Sequence, residues 1–123
     1  MKEPPWCGVA ATVQVIGGKW KPTILFHLKD GPRRFNELRR LMPQITQRML
    51  TLQLRALEDD GIVLRTVHET VPPWVEYAVT ERGMTLGHIL DAMEDWGNRY
   101  GHTLAARSVD EDGDGSDATP PGG

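Results

Sequence analysis

The stretch from Ile45 to Gly83 reads ITQRMLTLQLRALEDDGIVLRTVHETVPPWVEYAVTERG, and it decides the fold. Leu50, Leu54 and Leu57 recur at helical spacing and fall within about 60° of one another, so they mark a buried stripe. The opposite face carries Arg48, Thr51, Leu52 and Arg55. Thr46 suits the cap of this helix, Ile45 can staple onto Leu50, and Gly61 ends it. Residues Ile62–Val67 and Val75–Val79 then read as strands joined by a turn at Pro72-Pro73. In the second strand Val75, Tyr77 and Val79 alternate with Glu76 and Ala78, which suits one wet face. A helix that runs straight into a two-stranded hairpin is how a winged helix-turn-helix presents itself. That module lays the helix in the DNA major groove, with the hairpin beside it.

Working outward, Val9, Val13 and Ile16 predict a first helix, ended by Gly17-Gly18. Lys21-Pro22 opens a second, because proline in a first turn lacks only a donor that would be unpaired there anyway. Its core side is Ile24, Leu25 and Leu28, and Asp30-Gly31-Pro32 breaks it. Asn36 can cap a third helix with Glu37 at its positive end; Phe35, Leu38 and Leu41 line one side and Pro43 stops it. Thr80 can open one last, long helix with a stripe of Leu86, Leu90, Met93, Trp96, Tyr100 and Leu104. That stripe is too long for one small core to cover. The expected fold class is mainly α (α+β): a winged helix-turn-helix with a hairpin wing and terminal dimerisation helices. Residues 1–106 would form this single domain, and 107–123 an acidic disordered tail, being too polar to fold alone.

At 123 residues, with 39% hydrophobic and 25% charged residues, the chain is an ordinary globular domain in composition. No apolar run reaches the roughly 18 residues of a membrane span, and MKEPPW lacks the apolar core of a signal peptide. A single cysteine cannot form an internal disulfide, so a cytoplasmic location and no membrane partner are expected. The net charge of −3 hides an asymmetry. Residues 107–123 hold five acids and one base, which leaves +1 for residues 1–106; between Lys19 and Arg65 ten Lys/Arg face five Asp/Glu. A basic middle beside an acidic tail suggests a polyanion partner. A merely solvated charged surface would look the same on charge alone.

The chemistry-bearing residues point to double-stranded DNA. Arg48 and Arg55 can bind guanine edges or grip phosphates, and Thr51 can do either weakly; Gln47, Gln53 and Thr46 stand next to them. Arg34, Arg39 and Arg40 belong to the helix that crosses the backbone in such modules, so they are candidate phosphate anchors together with Arg33. Solvation of a wet helix face is the alternative for each arginine. Cys7 stands just ahead of the first helix, where a thiol is placed to react; the alternative is a small buried hydrophobe. Enzyme chemistry finds little support. His27, His68, His88 and His102 lack metal-ligand spacing, and Gly17-Gly18-Lys19 lacks the flanks of a phosphate loop. Asp91, Glu94 and Asp95 read as the wet face of one helix, and Tyr77 and the tryptophans as core, interface or pocket wall. No cofactor is expected.

In this setting the chain resembles the HxlR-type regulators, winged-helix bacterial transcription factors related to the MarR group. The resemblance is carried by Cys7, VIGGKWKPTIL (Val15–Leu25), GPRRFNELRRLMPQIT (Gly31–Thr46), LRALEDDGIVLR (Leu54–Arg65), VPPWVEYAVTERG (Val71–Gly83) and Trp96-Gly97, in that order. It implies homodimers built from the first and last helices, and two recognition helices on a pseudo-palindromic operator. For one subset of the family it implies an N-terminal cysteine that senses oxidants or electrophiles. Three positions depart from the pattern: Gly8 follows Cys7 where proline is usual, Leu52 takes a position usually polar, and Trp74 stands at the wing where a basic residue is usual. The function expected is that of a dimeric DNA-binding regulator, a repressor by occlusion, with a possible small-molecule effector that shifts the spacing of the two helices. Two other readings stay open: a winged-helix protein-interaction module, and a small-molecule-binding protein without DNA binding.

Overall fold

The computed structural model describes residues 7–104. The acidic segment 107–123 lies outside the described residues. The order is α1 (Gly8–Ile16), α2 (Lys21–Leu28), β1 (Arg33–Arg34), α3 (Phe35–Leu41), α4 (Gln47–Asp59), β2 (Val63–His68), β3 (Trp74–Val79), α5 (Glu81–Met84) and α6 (Gly87–Tyr100), closed by a 3₁₀ turn over Gly101–Thr103.

The core forms where the apolar stripes of α2, α3 and α4 meet the sheet. Ile24, Leu25, Leu28, Leu38, Leu50, Leu54 and Leu57 are all fully buried, and Ile62, Val63 and Tyr77 close the core from the strand side. The stripe foreseen for α4 is therefore the one that packs. The Thr46 Oγ1 accepts the Met49 N–H at 3.0 Å, which satisfies one of the free donors of the first turn. At the other end Gly61 takes φ +76°, a left-handed conformation that glycine adopts without penalty.

The hairpin pairs β2 with β3 from Val63↔Val79 to His68↔Trp74. A third strand joins it: β1 pairs with β3 through Arg33↔Tyr77 and Arg34↔Glu76, giving the order β1-β3-β2. This short pairing moves the start of α3. Its N-cap is Arg34 rather than Asn36, and the Glu37 carboxylate accepts the Arg34 backbone N–H at 2.7 Å. Asn36 lies inside the first turn, because the strand runs directly into the helix.

The last helix is two. Thr80 caps α5, its hydroxyl accepting the Gly83 N–H at 2.9 Å. The chain then breaks at Thr85-Leu86 before α6 begins. Gly83, Thr85 and Gly87 are weak helix formers placed within five residues, so little holds a continuous helix there. Gly83 has a second role. It is buried, and a Cβ on it would meet the Ile62 carbonyl oxygen and come within 2.6 Å of Val79 Cγ1. The close approach lets α5 sit directly on the base of the hairpin.

Candidate nucleic-acid interface

Helix α4 presents its basic face to solvent. Gln47, Arg48, Thr51, Leu52 and Arg55 are all exposed, on the side away from Leu50, Leu54 and Leu57. Among the described residues neither Arg48 nor Arg55 forms an ion pair, so both guanidinium groups are available to a ligand. The Thr51 hydroxyl donates to the Gln47 carbonyl at 2.9 Å, which leaves its oxygen free to accept. Leu52 is 47% exposed in the middle of this face, an apolar group suited to a thymine methyl. Gln53 turns partly away: it is half-buried, and its Nε2 lies 3.1 Å from Met49 Sδ. Thr46 is exposed at the entrance of the helix with its oxygen committed to the cap.

The arginines around α3 divide. Arg34 and Arg40 are exposed. Arg33 is half-buried, and its Nε donates to the His27 carbonyl at 2.9 Å, so it ties β1 to α2. Arg39 is half-buried, with its Nε shut from solvent and unpartnered. Next to Arg33, the His27 ring is held below the ordinary histidine range, by burial first and by the Arg33 charge second.

The wing holds one arrangement that the chain's pattern did not announce. The Trp74 ring lies under the Arg34 guanidinium, with its carbon 3.9 Å from the ring centroid, and stacks on His68 at 4.0 Å. The only hint in the sequence was a tryptophan in a polar hairpin next to two prolines. Elsewhere Tyr77 lies in the core as expected, Trp20 is half-buried, Trp96 is exposed on α6, and Trp6 lies outside the described residues.

Away from this face, the terminal helices touch the core through Val15, Ile16, Ile89 and Leu90 and leave other apolar residues uncovered. Val9 and Val13 on α1 and Met93, Trp96 and Tyr100 on α6 are all exposed, and α6 has no buried residue. Leu104 follows the 3₁₀ turn instead of continuing the helical stripe. Cys7 is exposed at the N-cap of α1. A cleft of about 470 Å³ opens between the end of α2, residues 29–32, β3 and the α5–α6 junction, lined by Leu25, Leu28, Pro32, Val79, Met84 and Leu90 among others. Among the described residues no helix is long and apolar enough to cross a membrane.

Comparison with known proteins supplies a family. The model of the HxlR-like helix-turn-helix family matches residues 15–105. The HTH-type transcriptional regulator YdeP of Bacillus subtilis (strain 168) is 57% identical over 94 residues, covering 76% of this chain and 73% of that protein. Among solved structures, the redox regulator HypR in its oxidized form superposes with a TM-score of 0.73 at 58% identity, covering 76% of this chain and 96% of the other. The reduced form of the transcriptional regulator YodB from B. subtilis gives a TM-score of 0.70 at 31% identity, over 82% of this chain and 99% of that one. These relatives are regulators, not enzymes.

Proposed function

This chain belongs to the HxlR-like helix-turn-helix family of transcriptional regulators, and we propose that it acts as a homodimeric repressor on a pseudo-palindromic operator. The observation that carries the reading is the uncovered face of α4. Arg48, Thr51 and Arg55 would read or grip DNA, with Gln47 and Gln53 next to them and Thr46 at the entrance. Arg34, Arg39 and Arg40 would anchor phosphates. The charge along α4 gives the helix a direction: Arg48 and Arg55 precede Glu58, Asp59 and Asp60, so the N-terminal part suits the groove and the acidic end does not. A second copy would cover Val9, Val13, Met93 and Trp96 and set two α4 helices about 10 base pairs apart, or a multiple of that. Occupancy would block polymerase. The setting is the cytoplasm, and the acidic segment 107–123 would temper binding to random DNA.

Two kinds of effector fit. HypR is described as a redox regulator, and the exposed Cys7 at the head of α1 is the position for the same response here. Oxidation would join Cys7 to the partner's Cys7 or to a small thiol, both thiol hydrogens passing to the oxidant, and would alter the helix spacing. An apolar small molecule would have the cleft beside α6 available to it. The test of the main reading is titration of DNA, selected from the genome by the protein itself, at several salt concentrations. Tight binding that weakens steeply between about 50 and 200 mM salt is expected. Absence of DNA binding would favour a protein-interaction module. The redox arm is tested by Cys7→Ser with and without diamide: a wild-type response absent from the variant supports it, and identical insensitivity removes it.

A further inference from the structure

Trp74 opens β3, the middle strand of the sheet. Arg34 on β1 pairs with Glu76, two residues along from Trp74, and His68 on β2 pairs with Trp74 itself. Residues two apart on a strand share a face, so Arg34, Trp74, Glu76 and His68 stand together on one side of the sheet. The Arg34 guanidinium carbon lies 3.9 Å from the indole centroid. The His68 ring stacks on the indole at 4.0 Å with a 17° tilt, and its Nε2 is 2.8 Å from Glu76 Oε1. The indole is thus flanked by a cation from one neighbouring strand and by a carboxylate-braced ring from the other. Arg34 remains exposed and, among the described residues, forms no ion pair. Its backbone is fixed at the root by Glu37.

A guanidinium carries five N–H donors, and those that do not face the ring stay available for a phosphate. An unsupported surface arginine must give up rotamer freedom when it meets that phosphate; the indole has already restricted it. We propose that Trp74 is a positioning residue for DNA binding: it holds the Arg34 side chain in place, so that Arg34 grips a backbone phosphate beside the wing. Trp74 itself need not touch DNA. The proposal rests on the reading that the protein binds DNA through α4.

The test compares wild type with Arg34→Ala, Trp74→Ala, Trp74→Phe and the double variant Arg34→Ala/Trp74→Ala, by anisotropy titration of a genome-selected fragment at several salt concentrations. Arg34→Ala should weaken all sequences alike and lower the salt slope by about 1. Trp74→Ala should weaken binding about three- to tenfold with the salt slope unchanged, since the cation is still present. Trp74→Phe keeps a ring face and should recover most of the loss. The double variant should bind like Arg34→Ala alone, because Trp74 acts only through Arg34. Additive losses in the double variant would overturn the proposal, as would wild-type affinity in Trp74→Ala or an unchanged slope in Arg34→Ala. Arg48→Ala/Arg55→Ala serves as the reference. If it loses binding while the wing variants do not, only the Arg34–Trp74 arrangement falls; if it too binds like wild type, the α4 reading falls.

Discussion

Helices α4 and α6 are close in length, 13 and 14 residues, and each carries an apolar stripe along one side. In α4 the stripe of Leu50, Leu54 and Leu57 is at most 1% exposed. In α6 nothing is buried, and Trp96 is 57% exposed. The periodic pattern in a sequence shows which face of a helix is apolar; it does not say what covers that face. For α4 the cover is the rest of the same chain. For α6 the same chain covers only part, through Leu86, Ile89 and Leu90 against the core; for the rest of α6 and the neighbouring α1, the cover we propose is a second copy.

Of these side chains, Leu54 is expected to be the most sensitive to truncation. Leu54→Ala empties a site that is 1% exposed and should cost about 2–5 kcal/mol in urea unfolding. The parallel truncation Met93→Ala, at a residue 45% exposed, should leave the fold intact. Equal destabilisation by the two at every protein concentration would show that α6 is packed within its own chain as α4 is. Next in size is Trp96→Asp, which places a charge on the bare stripe. Sedimentation should then find a monomer with unchanged helical content, and a persisting dimer would put the interface elsewhere. A smaller effect, about 1 kcal/mol, is expected from Thr46→Ala, which removes the cap at the N-terminal end of α4; Thr46→Ser should restore it.

The smallest effect is a pH dependence. Burial first and the Arg33 charge second lower the His27 pKa in the folded chain, so the unfolded chain takes up this proton first as pH falls. The His27 contribution is therefore fully present above about pH 6.5 and declines below it. His27→Gln should flatten this part of the stability profile, and an unchanged slope between about pH 7.5 and 5.5 would show that other groups set it.

What was legible in the sequence follows from how local each signal is. The α4 stripe, its Thr46 cap and its Gly61 terminus are set by residues a few positions apart, and all three are found in the fold. The exposed face with Arg48, Thr51 and Arg55 follows from the same 100° step. By contrast, β1 is two arginines long and exists through pairing with β3, more than forty positions away in the chain. Without that strand the N-cap of α3 falls on Asn36, and Arg33 passes for another surface cation when it is tied to the His27 carbonyl. The Arg34–Trp74–His68 arrangement has the same origin, since three strands must be in register before those side chains meet. The break between α5 and α6 was written in Gly83, Thr85 and Gly87, but the apolar periodicity across it reads as one helix.

The uncovered face of α4 is the proposed DNA-binding surface. The most direct measurement is the affinity of Arg48→Ala/Arg55→Ala for a genome-selected operator, with thermal unfolding run alongside to show that the core is intact. Each arginine on a base edge is worth about 1–3 kcal/mol, so the double variant should lose roughly 30-fold or more in affinity and most of its preference over random DNA. Wild-type affinity and preference in a folded, dimeric double variant would contradict DNA binding through this face.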